Sequence, residues 1–518
     1  MDRSAEQDGK PRISRRGLIS LAMSGVIGSG WLLAAQATAN LAGVWAWVPW
    51  VIGACALWCM ALVMVALATR RPQTGALVRW PLDSSGRTVG TIIGAGLVVT
   101  YAANMPTEAV AVVRGLCIQV HSLCTAKAGL ALAPSGLWAA AGVMVAVFLV
   151  NWLGLTVVTK VNMVFTMVKF VIPAVTAMLF LWGFRWHTVF VTAGGPKSSE
   201  PVLTAVTLGG VIYAFTGFQG PIDHAGEADK AHLRRATLLG LGIPALIFIA
   251  LQIIFLGTVQ GGASWGDLKS ATPYVELSRA LGLGWWYWAL FVDGMASPFA
   301  TALVFTSFIA VELRTAAEGR LIAPKALAKI SGSRQVPQIA LIANFGLGMV
   351  MLLLLQSWEK IVAATGIIAL FVYSYTSVSY TAFRLTWQPG DVEGETGNPF
   401  TKRYVVLAPL SFTGATLLSY TAGWKTLGTA LAFMFAVALI AYIGASAMVE
   451  VHPGRHRVRA LWLIGYFAAL YVLSLIGSSG PKPLIHYPWD IALTAALGVG
   501  AFYVGVYQSR LFREERGS

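Results

Sequence analysis

The chain has 518 residues, of which 57% are hydrophobic and only 11% are charged, with a formal net charge of +15 at pH 7. A soluble domain carries roughly 25% charged residues. This composition therefore excludes a soluble globular protein and predicts an all-α polytopic membrane protein.

Apolar runs of roughly 20 residues predict the membrane spans, because a helix of that length crosses the hydrocarbon core. We place fourteen such runs, and twelve is the alternative if two of the late runs are divided wrongly. Their approximate bounds are 17–41, 45–69, 89–119, 136–157, 161–183, 203–222, 236–258, 284–311, 338–356, 361–384, 404–421, 426–449, 460–477 and 487–507.

The lysines and arginines predict the orientation, because cytoplasmic segments carry an excess of them. With the N-terminus inside and alternating spans, 27 of the 37 fall in cytoplasmic segments and 8 in exterior loops, while Arg114 and Lys169 fall within spans. Both tails, 1–16 and 508–518, are therefore predicted to be cytoplasmic. The positive charge is attributed to this topology and to attraction to anionic membrane lipid, with no nucleic-acid partner.

The first run contains a glycine- and serine-rich stretch, Ser24–Gly30. Each glycine inside a helix costs about 1 kcal/mol relative to alanine, and backbone groups freed by a break in lipid find no water. The pattern therefore favours an unwound segment that faces a ligand or a cavity. A small-residue packing face built on Gly25 and Gly28 is the alternative.

The sixth run is interrupted about halfway along by Gly217, Gly220 and Pro221. The interruption recurs five spans after the first, so the second unit is inverted relative to the first. Paired broken helices in inverted halves indicate a transporter binding site. Free amides suit an anionic group and free carbonyls suit a cation, so the two breaks together suit an amino acid.

The motifs at these breaks resemble those of the amino acid–polyamine–organocation transporters. The stretch Ile27–Gly30 is similar to the family's Gly-Ser-Gly signature, and Phe215–Gln219 followed by Gly226-Glu227 is similar to its sixth-span pattern. The resemblance implies a LeuT-type fold with two inverted repeats of five spans, 17–183 and 203–384. Four additional spans in 404–507 would be peripheral.

The resemblance also implies a substrate site formed by the backbone of both breaks. Amides of the first break would hold the carboxylate, carbonyls of the second would hold the α-ammonium, and an aromatic side chain would act as a gate. The amides are those of Val26, Ile27, Gly28, Ser29 and Gly30. The carbonyls are those of Phe215, Thr216 and Gly217, beside Phe218, and the gate is Tyr213.

Two departures from the family pattern stand out. Gln219 replaces a glutamate that many members use in proton or substrate handling, and 229–231 replaces the usual Asn-Pro. The Gly-Phe-Gln variant, with Asp293 and Ser297-Pro298 in span eight, is most similar to the aspartate:proton symporter branch.

Lys169 lies within span five, and an ionisable residue inside the membrane is a functional hypothesis by default. The resemblance implies that its ammonium takes the place of a cation between spans one and eight, near Gly25, Ser297 and Thr301. Loss of its proton would then permit the conformational change. The alternative is a lysine that extends to the cytoplasmic interface.

Three further polar residues are candidates for side-chain specificity. Glu108 would line the cavity, Arg114 would bind an acidic substrate side chain, and Gln219 lies in the second break. The alternative for Arg114 is extension to the outer surface. Asp293 would neutralise one of the two charges in span three.

The four cysteines give no disulfide framework. Cys55 and Cys59 are interpreted as small apolar fillers, and Cys117 and Cys124 as free thiols, with a disulfide between the latter two as the alternative.

The chain shows no phosphate-binding loop, metal-ligand spacing or nucleophile motif, so no cofactor, metal or enzymatic activity is expected. We predict proton-coupled uptake of an amino acid across the cell membrane by alternating access. An exchanger without proton coupling is the alternative, and the substrate side-chain class and oligomeric state stay open.

Overall fold

The computed structural model describes residues 13–125, 131–187, 200–258, 272–318, 327, 329, 336–389, 397–445 and 453–517. These residues form twenty α-helices with short connections. Most of the expected N-terminal tail, residues 1–12, lies outside this range.

The helices follow one another along the chain without an intervening sheet in the described residues. They are α1 Arg15–Val26, α2 Gly30–Ala42, α3 Trp47–Arg70, α4 Ala76–Ser85, α5 Arg87–Ala102, α6 Asn104–Cys117, α7 Pro134–Trp152, α8 Leu155–Phe180, α9 Glu200–Leu208, α10 Val211–Phe215, α11 Gly220–Asp223, α12 Lys230–Thr258, α13 Pro273–Ala280, α14 Gly284–Glu318, α15 Gln338–Leu355, α16 Trp358–Leu385, α17 Tyr404–Thr421, α18 Trp424–Ala445, α19 Pro453–Ile476 and α20 Trp489–Gly517.

Within the described residues, 11 helical segments are long and apolar enough to cross a membrane. They are α3, α5 with α6, α7, α12 and α14–α20. This confirms an all-helical polytopic membrane protein. Of the other expected spans, 17–41 and 203–222 are interrupted helices, and the apolar stretch Val168–Gly183 of the fifth is shorter. The number fourteen and the inverted repeat stay predictions.

The helix α16 is central to the bundle, with nearly every residue from Trp358 to Phe383 buried. It packs against α3, α4 and α5 and also against α17, α18 and α20. The helix α18 leaves large apolar side chains such as Ile440 exposed, as expected of a lipid-facing surface. Trp358, the first residue of α16, is fully buried.

Hydroxyl caps fix the beginnings of two helices that matter for the site. Ser14 Oγ accepts the N–H of Gly17 at the start of α1, at 3.2 Å. Ser357 Oγ accepts the N–H of Lys360 at the start of α16, at 3.3 Å. Such caps satisfy amides that have no partner within the helix. The Ser357 cap places Trp358 as the first residue of α16.

The interpretation of Cys117 and Cys124 as free thiols is wrong, because they form a disulfide with a Cα–Cα distance of 5.8 Å. A short 3₁₀ turn at His121–Leu123 reverses the chain after α6. This turn brings the two residues within the distance that a disulfide requires.

Candidate functional site

The two broken helices contact each other directly through glycine backbones. A Cβ on Gly25 would lie 2.9 Å from the Cα of Gly217. A Cβ on Gly30 would lie 2.6 Å from the Cβ of Ala214. Side chains at these positions would force the breaks apart. The glycines therefore allow the close approach of the two segments.

The first break spans the three residues between α1 and α2. Ile27 leaves the helical conformation with φ −88° and ψ 96°, and α2 begins at Gly30. The Ser29 amide donates to Glu108 Oε2 at 2.9 Å. The amides of Gly28 and Gly30 donate to no backbone carbonyl among the described residues. The start of α2 thus presents the donors and positive dipole end that a carboxylate requires.

Glu108 accepts two hydrogen bonds at this helix start. One comes from the Ser29 amide, and the other comes from the Tyr213 hydroxyl to Oε1 at 2.8 Å. The side chain of Glu108 is buried. A Cβ on Gly28 would lie 2.8 Å from Glu108 Oε1, so the glycine makes room for the carboxyl group. The Glu108 carboxyl group therefore accepts from the Ser29 amide, one of the amides that the resemblance assigns to the substrate carboxylate.

The sixth span is interrupted twice rather than once. The expected interruption separates α10 from α11, with Thr216 extended and Gly217 at φ 114°. A further interruption lies between α9 and α10, where Gly210 has φ 79°. The carbonyls of Phe215 and Thr216 accept none of the turn hydrogen bonds of this segment, whereas Gly217 O accepts from Gly220 N at 3.0 Å. Two of the three expected carbonyls, those of Phe215 and Thr216, are thus not used by the turn hydrogen bonds.

Tyr213, the expected gate, connects the second break to α6. Its hydroxyl lies 2.9 Å from Asn104 Oδ1 and 2.8 Å from Glu108 Oε1. Its ring makes an edge-to-face contact with Trp358, with centroids 6.3 Å apart. The phenol has one proton, so Glu108 and Asn104 compete for it.

Trp358 is a site residue that sequence reasoning missed. Its indole Nε1–H donates to Ser29 Oγ at 2.8 Å. Its ring also lies against Gly210, where a Cβ would be 2.7 Å from Cη2. The tryptophan therefore closes the site from α16. The serine cap at Ser357 was the available sequence signal, since it marks Trp358 as the start of a helix.

Lys169 lies fully buried on α8, which excludes extension to the cytoplasmic interface. Its Nζ donates to Thr301 Oγ1 at 2.5 Å. The same hydroxyl lies 3.0 Å from the carbonyl oxygen of Ile27 and 3.1 Å from that of Ser297. Thr301 thus links Lys169 to the first break. The Ser297 hydroxyl has no hydrogen-bond partner among the described residues.

Two buried carboxyl groups lie within electrostatic reach of Lys169. They are Glu108 on α6 and Asp293 on α14. Neither oxygen of Asp293 accepts a hydrogen bond from a described residue. Lys169 is the charged group that acts on Asp293, rather than Glu108 or Arg114 as expected. Burial penalises unpaired charges. Protonation states in which Lys169, Glu108 and Asp293 together carry no net charge are therefore favoured.

Arg114 is buried, so its extension to the outer surface is wrong. Its guanidinium makes two 2.7 Å hydrogen bonds to the carboxylate of Glu359 on α16. Such a two-fold contact is the strong form of this ion pair. Glu359 lies next to Trp358 and lines a cavity of about 640 Å³ with Asn40 and Lys425. The pair therefore fixes the start of α16 above the site.

Gln219 braces the second break through both ends of its amide side chain. Its Oε1 accepts the N–H of Gly217 at 2.8 Å, and its Nε2 donates to the Tyr101 hydroxyl at 3.2 Å. Phe218 packs edge-to-face on Tyr373. Among the described residues, no group of three or more His, Cys, Asp or Glu side chains is arranged to hold a metal ion.

Comparison with known proteins supports the class of protein that the two breaks suggest, an amino acid transporter. A family model described as amino acid permease matches residues 13–502. The chain is 30% identical over 519 residues to the glutamate/serine transporter AimA of Bacillus subtilis (strain 168), covering 96% of this chain and 94% of that one. It is 25% identical over 503 residues to the aspartate-proton symporter of the same organism, covering 95% of each. It is also 24% identical over 355 residues to a putative amino-acid transporter of Clostridium perfringens (strain 13 / Type A), covering 64% and 70%.

The chain belongs to the amino acid permease family. The resemblance seen at the two breaks is therefore confirmed. The protein is an amino acid transporter rather than an enzyme, and a multi-pass protein of the cell membrane.

Proposed function

We propose that this transporter takes up its amino acid together with protons by alternating access. The observation that carries the proposal is the buried contact from Lys169 through Thr301 to the carbonyl of Ile27. It joins the titratable amine to the backbone of the first break. One of the relatives is named an aspartate-proton symporter, which supports the same mode of transport.

The substrate carboxylate binds at the start of α2 in this proposal. Gly28 and Gly30 provide amides without backbone partners, and the Ser29 amide is held by Glu108. A substrate carboxylate and an ionised Glu108 would repel each other there. Protonation of Glu108 removes this repulsion, so a proton and the substrate bind together.

The substrate ammonium binds at the second break. The carbonyls of Phe215 and Thr216 accept none of the turn hydrogen bonds, and an ammonium group needs such acceptors. Trp358 and Tyr213 close this space from α16 and α10. Their movement would open the site to the exterior.

Lys169 makes the transport cycle depend on protons. The charged ammonium stabilises the first break through Thr301, in contact with the Ile27 carbonyl. Loss of the proton weakens this contact, because a neutral amine is a poorer donor to a hydroxyl. The first break is then free to move relative to α8 and α14.

The topology in this proposal has fourteen spans with both termini in the cytoplasm. The interrupted pair α1–α2, the three short helices α9–α11 and the helix α8 provide the three spans beyond the eleven continuous ones. Spans one to five (17–183) and six to ten (203–384) would form the inverted repeats. The last four (404–507) pack on the outside of α16.

The names of the relatives suggest which substrate side chains to consider. One is called a glutamate/serine transporter and another an aspartate-proton symporter. We therefore propose L-glutamate, L-aspartate and L-serine as the first substrates to test.

The test is uptake of each labelled amino acid into proteoliposomes that contain the purified full-length chain. Symport predicts accumulation above equilibrium when the outside is acidic, and its loss when a protonophore collapses the gradient. Exchange instead predicts uptake that requires internal amino acid and ignores the gradient. Absence of uptake of all three in both conditions contradicts the proposal.

A further inference from the structure

A long apolar groove lies between α15 and α18, away from the substrate site. Both helices pack on α5 and on α16, and α5 forms the floor of the groove. The cavity has a volume of about 890 Å³. Gly346 on α15 and Ala436 on α18 line it and are exposed on the surface of the bundle. These small residues leave the groove open to membrane lipid.

The groove is as long as one acyl chain. It follows α18 from Thr429 to Ala441 and α15 from Ala343 to Leu355. Each of these stretches is about 18 Å long at the rise of an α-helix. One leaflet accounts for half of a hydrocarbon core of about 30 Å. An acyl chain that lies along these two helices therefore fits within the groove.

A second cavity adjoins one end of the groove and carries basic side chains. It is the cavity of about 640 Å³ beside Glu359. The two cavities share three wall residues, Leu354, Leu355 and Thr429. The exposed side chains of Lys360 and Lys425 also line the second cavity. An apolar groove that ends at two ammonium groups suits an amphiphile with an anionic head group.

The second cavity, which we call the head-group cavity, has an excess of positive charge. The described residues include no ion-pair partner for Lys360 or Lys425. The carboxylate of Glu359 is neutralised by two 2.7 Å hydrogen bonds from Arg114. A phosphate group in this cavity would therefore accept charge-assisted hydrogen bonds from two lysines, without a competing carboxylate.

Asn344 is an unpaired polar side chain in the wall of the apolar groove. It is 1% exposed, and neither its Oδ1 nor its Nδ2 has a hydrogen-bond partner among the described residues. The hydroxyls of Thr91 and Thr429, which also line the groove, bond to carbonyls of their own helices. A transmembrane helix in the groove could pair with Asn344, whereas an acyl chain would pass it without bonding. Asn344 therefore distinguishes between these two occupants.

We propose that the groove and the head-group cavity together bind one anionic phospholipid. Its phosphate lies between Lys360 and Lys425, and an acyl chain extends along α15 and α18 towards Asn344. The two lysines favour a lipid over a helix, because basic pockets at the ends of membrane helices bind anionic head groups. The proposed topology makes this end exterior, so the lipid belongs to the outer leaflet.

The bound lipid contacts the outer halves of both interrupted helices. Asn40 and Leu41 of α2 and Leu208 of α9 line the head-group cavity. The helix α2 begins at the first break, and α9 precedes the second. The lipid therefore stabilises the packed arrangement of these helices and should raise the apparent melting temperature.

The test is a lipid titration of the delipidated full-length protein, followed by native mass spectrometry. The probes are phosphatidylglycerol and phosphatidylcholine with identical acyl chains. We expect phosphatidylglycerol to bind at least fivefold more tightly and to give the larger rise in melting temperature. The double variant Lys360→Gln/Lys425→Gln should reduce this preference to less than twofold. Lys482→Gln, which removes an exposed lysine outside both cavities, should retain the wild-type preference.

Two matched glycine substitutions test the acyl-chain part of the site. Gly346 on α15 and Gly500 on α20 are both exposed, and an added Cβ would meet no neighbouring atom within 4 Å at either. Gly346→Leu fills the groove and should weaken phosphatidylglycerol binding at least fivefold, whereas Gly500→Leu should leave it unchanged. Equal binding in both variants, or displacement of the lipid by glycerol 3-phosphate, overturns the site.

Asn344→Leu tests the identity of the occupant. It makes the groove wall wholly apolar at this position, so phosphatidylglycerol binding should be unchanged or stronger. Loss of lipid binding in Asn344→Leu, or a wild-type dimer that this variant dissociates, would assign the groove to a polar protein partner and overturn the lipid site. These measurements need no transport, so their failure leaves the proposed function intact.

Discussion

Lys169 contacts the first break through the hydroxyl of Thr301, which lies 2.5 Å from the amine and 3.0 Å from the Ile27 carbonyl oxygen. Replacing the hydroxyl by a methyl group removes this link with little change in side-chain shape. We expect Thr301→Val to lower gradient-driven accumulation at least tenfold. The measurement is uptake into proteoliposomes with a fixed pH gradient.

The matched control for this substitution lies on the same helix. Thr306 is buried on α14, and its hydroxyl has no partner among the described residues. Thr306→Val should therefore leave accumulation within about twofold of the wild type. Equal losses in both variants would show that Thr301 acts only through packing.

Trp358 should contribute to the site through its indole N–H as well as its ring. Trp358→Phe keeps an aromatic ring and removes the hydrogen bond to Ser29 Oγ. A hydrogen bond of this kind contributes about 1 kcal/mol, so KM should rise roughly fivefold. Ser29→Ala should have a similar effect, and the double variant should be no worse than either single one.

A control for the tryptophan is available on the lipid-facing surface. Trp138 is 80% exposed, and Trp138→Phe should leave KM unchanged. Strict additivity of Trp358→Phe and Ser29→Ala would argue against a direct interaction.

Gly217 should tolerate no side chain. Its φ of 114° is unfavourable for any other residue, and a Cβ would lie 2.3 Å from the carbonyl carbon of Gly25. Strain and overpacking together should cost about 2 kcal/mol or more in Gly217→Ala. The apparent melting temperature and uptake should both fall.

The corresponding control is a glycine in open space. Gly414 on α17 has no atom within 4 Å of an added Cβ. Gly414→Ala should therefore match the wild type in both measurements. A stable and active Gly217→Ala variant would show that the breaks do not pack together as described.

In the Arg114–Glu359 pair, substitution of Glu359 should destabilise the protein more than substitution of Arg114. Side-chain exposure is 1% for Arg114 and 31% for Glu359. Glu359→Gln removes the carboxylate partner of a buried guanidinium, which should destabilise the protein by about 3 kcal/mol. Arg114→Gln leaves a carboxylate that water can reach, so the melting temperature should fall less.

The same variants test whether Arg114 also binds an acidic substrate. That hypothesis requires Glu359 to release the guanidinium when substrate enters. It predicts that Arg114→Gln loses L-glutamate uptake and retains L-serine uptake. Equal effects on the two substrates would leave the pair with a structural role only.

The sequence alone located those site residues that are unusual in a membrane span whatever the rest of the fold. Gly25 and Gly217 interrupt apolar runs, and Lys169 places a charge inside one, so each was visible without knowing the fold. The structure brings these features together, through the Gly25–Gly217 contact and the Thr301 link.

Other site residues depend on contacts between distant helices and gave weaker signals. Trp358 and Glu359 stand at the end of a loop that the sequence predicts to be exterior, where an aromatic and an acid are ordinary. Only the packing of α16 in the centre of the bundle buries Trp358 and brings Glu359 to Arg114. The pairing of Arg114 and the disulfide of Cys117 likewise depend on where the chain turns.

In the proposed cycle, amino acid and proton enter together, and Lys169 makes this possible. The most direct measurement is the internal pH of proteoliposomes loaded with a pH-sensitive dye, after addition of external L-glutamate, L-aspartate or L-serine at equal pH. Symport through Lys169 predicts internal acidification in the wild type and none in Lys169→Ala, with counterflow exchange of the same amino acid retained. Amino acid entry without acidification in the wild type, or equal acidification in Lys169→Ala, would contradict it.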